Sequence, residues 1–596
     1  MIEKSIAVLP FKTISTTSDH EYLSDGITEA IIDALTQIKE LKVTSRTSSF
    51  AFKNRTCDAR AIGRQLGVST ILEGSLQVAD NQICISIQLC RTDNGFTIWS
   101  ERFQHELKHI FDLQDEISRM IAERLRENFG HLDIQDQLSE IPTNSVMAYQ
   151  LYLKARYHQL KWIPSNIDQA IAFYKQSIKN DPQFSLAYFG ISLCYIILAS
   201  WKHIPRQEGL RQAKQALQTG YNLDKNAYLY HFAKATLCYW DQWDFSQSHK
   251  HLQKTIDCNP SFSEAHEALA EIYTVSGEFE RALLQTHTIL SINPLSPNHY
   301  FTRGNIYYLT GNLEKAISCA DAALKIDPAF TIAIELKLAC FILLNDKNRF
   351  QAYLNSMPVI DQPQLCAALF NLVNGGKNIE PNLEQIRSSA EKSTSRSSFI
   401  PWHIYFQLYG NNPEIAMDLL EESVNHKMGQ VIYFRHDPFL CPLHNHPRFI
   451  NLTQSLNKHI ACVVNEHIET KYREATTPLL CATEKNLYKK TLEEVMILKS
   501  PFLNPDLTLK ELAGIIDLHP NKLSRLLNEV LGKNFNDYIN GFRLKTFQKL
   551  AVQDQYKHLS ILGLAFESGF NSKTVFNTFF KKETGLTPGA WLKSAR

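Results

Sequence analysis

Pro260, Pro294 and Pro328 stand 34 residues apart, and the residues between them keep one frame: Ala270 pairs with Gly304, Tyr273 with Tyr307, Gly277 with Gly311, and Ala282 with Ala316. A period of 34 fits two helices and a turn, with small residues where the helices cross and a proline closing the unit. Such a unit cannot bury its apolar face alone. It stacks on its neighbours and leaves a long concave surface open. The centre of the chain is thereby restricted to a helical solenoid, whose default work is contact with a protein or peptide. Its recurrent Tyr and Phe belong to the core. An earlier unit runs through Ala170, Tyr174 and Pro182, followed by Tyr195. From Pro182 to Pro260 the spacing is 78 rather than 68, so a degenerate unit with an insertion is expected around residues 201–224.

These positions resemble the tetratricopeptide repeat, which we place over residues 145–350. Residues 351–460 stay helical with a weaker pattern, and the segment HDPFLCPLHNHPRF resembles the tail that closes such arrays. Cys441, His444 and His446 lie in it, but no second ligand pair of suitable spacing follows, and no metal site is expected.

A chain of 596 residues is long enough for three to five domains. Its 44% hydrophobic and 21% charged residues are ordinary for packed protein. The net charge of +1, from 62 Lys and Arg against 61 Asp and Glu, excludes a uniformly basic nucleic-acid binder, so any basic region is local. The 12 cysteines are scattered without a CxxC and read as reduced thiols. No 18-residue apolar stretch and no signal-peptide pattern are seen, so a cytoplasmic protein without a membrane span is expected.

In residues 1–130, SIAVLPF reads as a buried strand, and Asp25-Gly26 leads into a helix faced by Ile27, Ile31, Ala34, Leu35 and Ile38. Residues 41–46 read as a second strand, and residues 58–66 as a helix stopped by Gly67. Ile83, Ile85, Ile87 and Leu89 then alternate with polar or small partners, and Asp93-Asn94-Gly95 suits a hairpin turn. Helical spacing returns over residues 110–125. The sum is a small α/β domain. The pieces IAVLPF, SDGITEAI, VTSRTSSFAFK, DARAIGRQLGV, ILEGSLQ and WSERF…IFDLQDEIS resemble the TolB-like domain found beside tetratricopeptide repeats in bacterial regulators and adenylate cyclases. That resemblance implies a regulatory or binding module. Arg46, Ser48, Ser49 and Lys53 form a polar cluster where a small ligand or a partner could bind, or a solvated loop.

After a linker at 461–486, residues 487–596 change character. Residues 501–596 hold ten Lys and three Arg against eight acids, a local +5 that favours an acidic polymer as partner. Thr508-x-x-Glu511 is a capping box for a helix striped by Leu509, Leu512, Ala513 and Ile516. After a turn, Pro520 opens a helix with Leu523, Leu526, Leu527 and Val530 inward and Asn521, Lys522, Ser524, Arg525 and Asn528 outward, ending at Gly532. A second pair follows: Ile561, Leu564 and Ala565, a turn at Gly569, then Val575, Phe576, Phe579 and Phe580 inward with Lys573, Thr574, Asn577, Thr578 and Lys581 outward. A helix through Tyr538, Phe542 and Leu550 joins them.

The two stretches, from LTLKELAGIIDLHPNKL to FNDYINGFRL and from ILGLAFESGF to GLTPGAW, resemble the AraC/XylS family of transcriptional regulators. The resemblance implies two recognition helices in successive major-groove faces of one duplex. By position it assigns base reading to Asn521, Ser524 and Arg525 and to Lys573, Thr574, Asn577 and Thr578. It assigns phosphate contact to Lys522, Arg543, Lys581 and Lys582. Thr578 stands where many members carry Arg, and Asp517 where many carry Gly.

The expected fold is mostly α: a small N-terminal α/β domain, a central tetratricopeptide-type array and a C-terminal all-α double helix-turn-helix domain. The expected function is sequence-specific regulation of transcription, with double-stranded DNA as one partner and a protein or peptide on the array as another. No catalytic residue and no cofactor are assigned, and homodimerisation stays open. The alternative is a repeat-based interaction scaffold with a non-functional helix-turn-helix domain.

Overall fold

The computed structural model describes residues 4–595 apart from 15–20, 39, 54, 56, 80–81, 136–137, 139–142, 160–163, 201–202, 357–362, 376–399 and 466–481. Its N-terminal domain is built on one sheet of order β3-β1-β4-β5-β6, from β1 (Ser5–Val8), β3 (Lys42–Val43), β4 (Thr70–Ala79), β5 (Gln82–Arg91) and β6 (Thr97–Glu106), with β2 (Lys12–Thr13) also on β4. β1 pairs in parallel with β3 and β4, while β4, β5 and β6 form an antiparallel meander. The alternation read over residues 83–89 places Ile83, Ile85, Ile87 and Leu89 under α1 (Glu21–Thr36) and α4 (Ile110–Phe129). α2 (Arg46–Phe50) is a single short turn of helix, and α3 (Ala59–Leu66) covers the opposite face with Ile62 and Leu66.

Three expectations shift here. Asp25-Gly26 lies inside α1, which begins at Glu21. The buried Asp25 carboxylate takes the Lys53 ammonium at 2.7 Å, and a Cβ on Gly26 would stand 2.4 Å from Leu153 Cδ1, so the glycine serves close packing on the helix Val146–Gln159 rather than a turn. The strand expected over 41–46 shrinks to β3, because Ser45 already precedes α2. α4 runs past Leu125 to Phe129.

The array follows as antiparallel pairs: α5 (Val146–Gln159) with α6 (Pro164–Asn180), α7 (Ser185–Ser200) with α8 (Arg206–Leu223), α9 (Tyr228–Leu237) with α10 (Phe245–Cys258), α11 (Ser263–Ser276) with α12 (Phe279–Ile292), α13 (Pro297–Leu309) with α14 (Leu313–Ile326), and α15 (Thr331–Leu343) with α16 (Lys347–Ser356). The excess between Pro182 and Pro260 is spread out. α7 and α8 have 16 and 18 residues against 14 each in α11 and α12, and a π-turn follows α9 over Cys238–Gln242. α17 (Pro363–Val373), α18 (Trp402–Tyr409), α19 (Pro413–Asn425) and α20 (Pro447–Asn465) complete this part. The tail before α20 closes the array through buried Asp437, which accepts hydrogen bonds from Tyr308, Tyr405 and the Phe439 N–H.

The C-terminal part comprises α21 (Ala482–Leu498), α22 (Leu509–Ile515), α23 (Pro520–Arg525, continued as a π-turn over Leu526–Val530), α24 (Phe535–Ala551), α25 (Ile561–Glu567), α26 (Lys573–Thr584) and α27 (Pro588–Ala595). The capping box forms as read: the Thr508 hydroxyl accepts from the Glu511 N–H, and the Glu511 carboxylate from the Thr508 N–H. Asp517 has φ +52°, the left-handed turn that glycine adopts at less cost. Two cores flank α24, one of Leu512, Leu523, Leu527 and Ile539, the other of Phe547, Phe576 and Phe580. The molecule is thus mostly helical, with one small sheet domain, a central tetratricopeptide-like array and a terminal helical domain.

Candidate nucleic-acid interface

The second helix-turn-helix presents its outward face to solvent. The Ser572 hydroxyl caps α26, and Phe576, Phe579 and Phe580 bury one side of it. Lys573, Thr574, Asn577, Thr578, Lys581 and Lys582 are all exposed, and the last reaches Asp537 at 2.9 Å. Donors and cations thus converge along one side of a helix rigidly seated on phenylalanines.

The first helix-turn-helix is placed differently. Asn521 is 9% exposed and Ser524 1%. The Asn521 amide is spent on the N-terminal domain. Its Oδ1 accepts from Arg126 Nη1 at 2.6 Å and from the Ile134 N–H at 3.4 Å, while its Nδ2 donates to Asp133 Oδ1 at 2.6 Å and to the Ile134 carbonyl at 3.1 Å. Glu127 Oε1 accepts from the Leu509 N–H at 3.0 Å. Asn534 and Asn536 donate to the backbone carbonyl and the side chain of Asn128. Arg525 keeps about a fifth of its side chain exposed and pairs with Glu529 at 3.0 Å, while Lys522 is half-buried. Of the seven residues assigned to base reading, the structure leaves the four on α26 open and turns Asn521 and Ser524 inward.

Burial holds the Arg126 guanidinium below its ordinary value, although Glu123 pairs with it. His131 lies beside this contact, 9% exposed, with no hydrogen bond to either ring nitrogen among the described residues. Burial, with Arg525 and Lys4 nearby, pushes its pKa down to about 4.

Arg543, assigned to phosphate contact, is placed in the interior instead. It is 7% exposed. Nε donates to the Phe502 carbonyl at 2.8 Å, Nη2 to the Asn504 carbonyl at 2.7 Å, and Nη1 faces Asn540 Oδ1 at 3.3 Å. Burial pushes it down to about 10. A guanidinium so enclosed offers no donor to a phosphate outside. It ties the segment before α22 onto α24.

Of the polar cluster read in the N-terminal domain, Arg46, Ser48 and Lys53 are likewise engaged within the chain, and Ser49 is buried. Ser48 Oγ donates to Asn293 Oδ1 at 2.5 Å and accepts from the Leu295 N–H at 2.8 Å, so α2 docks on the array. Arg46 pairs with Glu29 at 3.3 Å, and Lys53 with Glu21 and Asp25. Cys441 is exposed, His444 packs against the Phe449 ring, and His446 pairs with Glu414 at 3.1 Å.

Arg126, Glu127, Asn128, Asp133 and Ile134 escaped the sequence reading. Arg and Glu just past an apolar stripe look solvated, and no periodicity reports a contact between residues nearly 400 positions apart.

Residues 512–594 match the family described as "Helix-turn-helix domain". The C-terminal segment is an AraC-type helix-turn-helix domain. Upstream of this AraC-type domain, residues 300–330 match the tetratricopeptide repeat. Residues 2–120 match the second domain of HilA/YgeH-like transcriptional regulators, the segment whose pieces resembled TolB-like domains. Among relatives, a Rhizobium meliloti protein named as an adenylate cyclase is 31% identical over 240 residues, 40% of each chain. The transcriptional regulator HilA of Salmonella typhimurium is 21% identical over 431 residues, 70% of this chain and 68% of that one. The chain thus spans well under half of the first relative and about two thirds of the second. A tetratricopeptide repeat protein from Parabacteroides merdae covers 47% of this chain and all of its own at 15% identity, with a TM-score of 0.31. The matches thus bring together in one chain a helix-turn-helix domain, the second domain of HilA/YgeH-like transcriptional regulators and a tetratricopeptide repeat. Among the described residues no helix is long and apolar enough to cross a membrane.

Proposed function

We propose that the chain is a sequence-specific DNA-binding transcription regulator whose N-terminal domain and repeats receive a signal from a partner or ligand. The observation that carries the reading is α26: Lys573, Thr574, Asn577 and Thr578 exposed on one side, phenylalanines on the other, within the AraC-type domain. Asn577 suits an adenine edge, and Lys573, Lys581 and Lys582 suit guanine or phosphate oxygens. Arg525, at the margin of α23, adds a bidentate donor, with Lys522 beside it as a phosphate contact.

The reading includes no catalytic step. The similarity to the protein named as a cyclase spans 40% of that protein, while the regulator matches lie at both ends of this chain. One observation favours the scaffold reading: Asn521 and Ser524 are turned into the protein. Selection of duplexes from a random pool by the full chain separates the two. A regulator enriches one site about two helical turns long, and Asn577→Ala loses it. Uniform binding that vanishes with salt in one electrostatic step would refute sequence-specific reading.

A further inference from the structure

The face of α23 that resembles a base-reading surface is covered by the chain's own N-terminal domain, and the cover copies features of DNA. An asparagine reads adenine by accepting from N6–H and donating to N7. Asn521 here accepts from the Ile134 N–H and donates to the Ile134 carbonyl, so one residue's peptide groups present the same donor and acceptor as an adenine edge. Asp133 supplies an anionic oxygen to the same amide. Arg126, 1% exposed, closes the remaining side. Glu127 and Asn128 at the end of α4 hold the Leu509 N–H and the side chains of Asn534 and Asn536, so the contact spans α22, α23 and the start of α24.

We propose that this arrangement is a self-masked state: residues 126–134 of the N-terminal domain and duplex DNA compete for α23, and the regulator engages a full site only after that segment leaves. This rests on the reading of α23 as a DNA-reading helix. Because a duplex can meet α23 only in the open state, the apparent affinity is the intrinsic one reduced by the open fraction. α26 stays exposed throughout, so the masked chain keeps one half of its reader and binds weakly.

The test uses the full chain and random duplex DNA, selected in parallel with the wild type and with Asp133→Ala. Asp133→Ala removes one acceptor of Asn521 and leaves the C-terminal domain unaltered. Its affinity for the enriched duplex is expected to exceed that of the wild type by about tenfold or more, and Asn521→Ala in that background to abolish the gain. Saturating duplex added to the wild type is expected to speed hydrogen exchange over residues 126–134. Equal affinities with unchanged exchange there would overturn the masking and leave DNA reading standing. No enriched duplex from either chain would overturn the DNA reading itself. Should Asp133→Ala fail to fold, the exchange experiment on the wild type decides alone: unchanged exchange at 126–134 on a specifically bound chain sinks the proposal.

Discussion

Replacing Arg543 by Lys separates two roles that the same residue could have. A lysine keeps the charge a phosphate would need but not the fork that reaches the Phe502 and Asn504 carbonyls together at 2.8 and 2.7 Å. A hydrogen bond to a charged group contributes roughly 1.5–3 kcal/mol. The ammonium can restore one of the two, and the second carbonyl is left buried, so Arg543→Lys is expected to cost about 2 kcal/mol locally. The loss falls on the tie between residues 501–505 and α24. Under native conditions it reads as roughly thirtyfold faster amide exchange over these segments in the full chain. The salt dependence of DNA binding is expected to keep its slope. A phosphate contact would leave exchange unchanged in Arg543→Lys, because the lysine keeps the charge, and would make the slope in log salt shallower by about one ion only in the charge-removing Arg543→Gln. That outcome would refute the structural assignment.

Other outcomes follow from the same geometry. A Cβ on Gly569 would lie 2.4 Å from the Phe502 carbonyl oxygen and 3.0 Å from Leu503 Cα, at φ +95°, so Gly569→Ala is expected to loosen the packing of α25 on that segment by about 2–4 kcal/mol, read by exchange over residues 561–570. Closing of residues 126–134 onto α23 is expected to weaken as pH falls. His131 has a pKa near 4 in the closed state, so the closed state binds fewer protons than an open one with an ordinary histidine; its stability is full above pH 6.5 and lost progressively as pH falls toward 4. Arg525, Lys4 and Arg126 face the ring and oppose protonation, while Asp133 favours it. DNA affinity at pH 5.5 should therefore exceed that at pH 7.5 several-fold, and His131→Gln should flatten the difference; an unchanged slope in that variant would sink the assignment. Ser48→Ala leaves the Leu295 N–H without its acceptor and is expected to cost about 1–3 kcal/mol at the junction of α2 with the array, seen as faster exchange at residues 293–296. Unchanged exchange would show that the junction does not depend on that hydroxyl.

Much of this molecule was legible along the chain because local rules set it. The 34-residue frame carries its own geometry: small residues at helix crossings and a proline at each boundary recur whatever the partner. The capping box at Thr508, Pro520 at a helix start, the left-handed Gly67 and Gly569, and the phenylalanine stripe of α26 follow from backbone and side-chain chemistry within a few residues. The start of α1 was misplaced because Asp25 and Gly26 carry the letters of a turn, and only the Lys53 ammonium and the Leu153 side chain explain them inside a helix.

The sequence by itself determined the order of the parts, the period of the array and the two helix-turn-helix units, since each rests on contacts short in sequence or repeated along it. Tertiary structure decided which polar residues are free to act. Asn521, Ser524 and Lys573 read alike as outward polar positions and Arg543 as a phosphate contact by resemblance, yet Asn521 meets the N-terminal domain, Ser524 is buried, Arg543 is spent on carbonyls of its own domain, and Lys573 faces solvent. The reason is physical: the side chain's own chemistry makes it able to donate or accept, but its partner is chosen by surfaces brought together from distant segments, as Asn521 and Asp133 are across 388 positions.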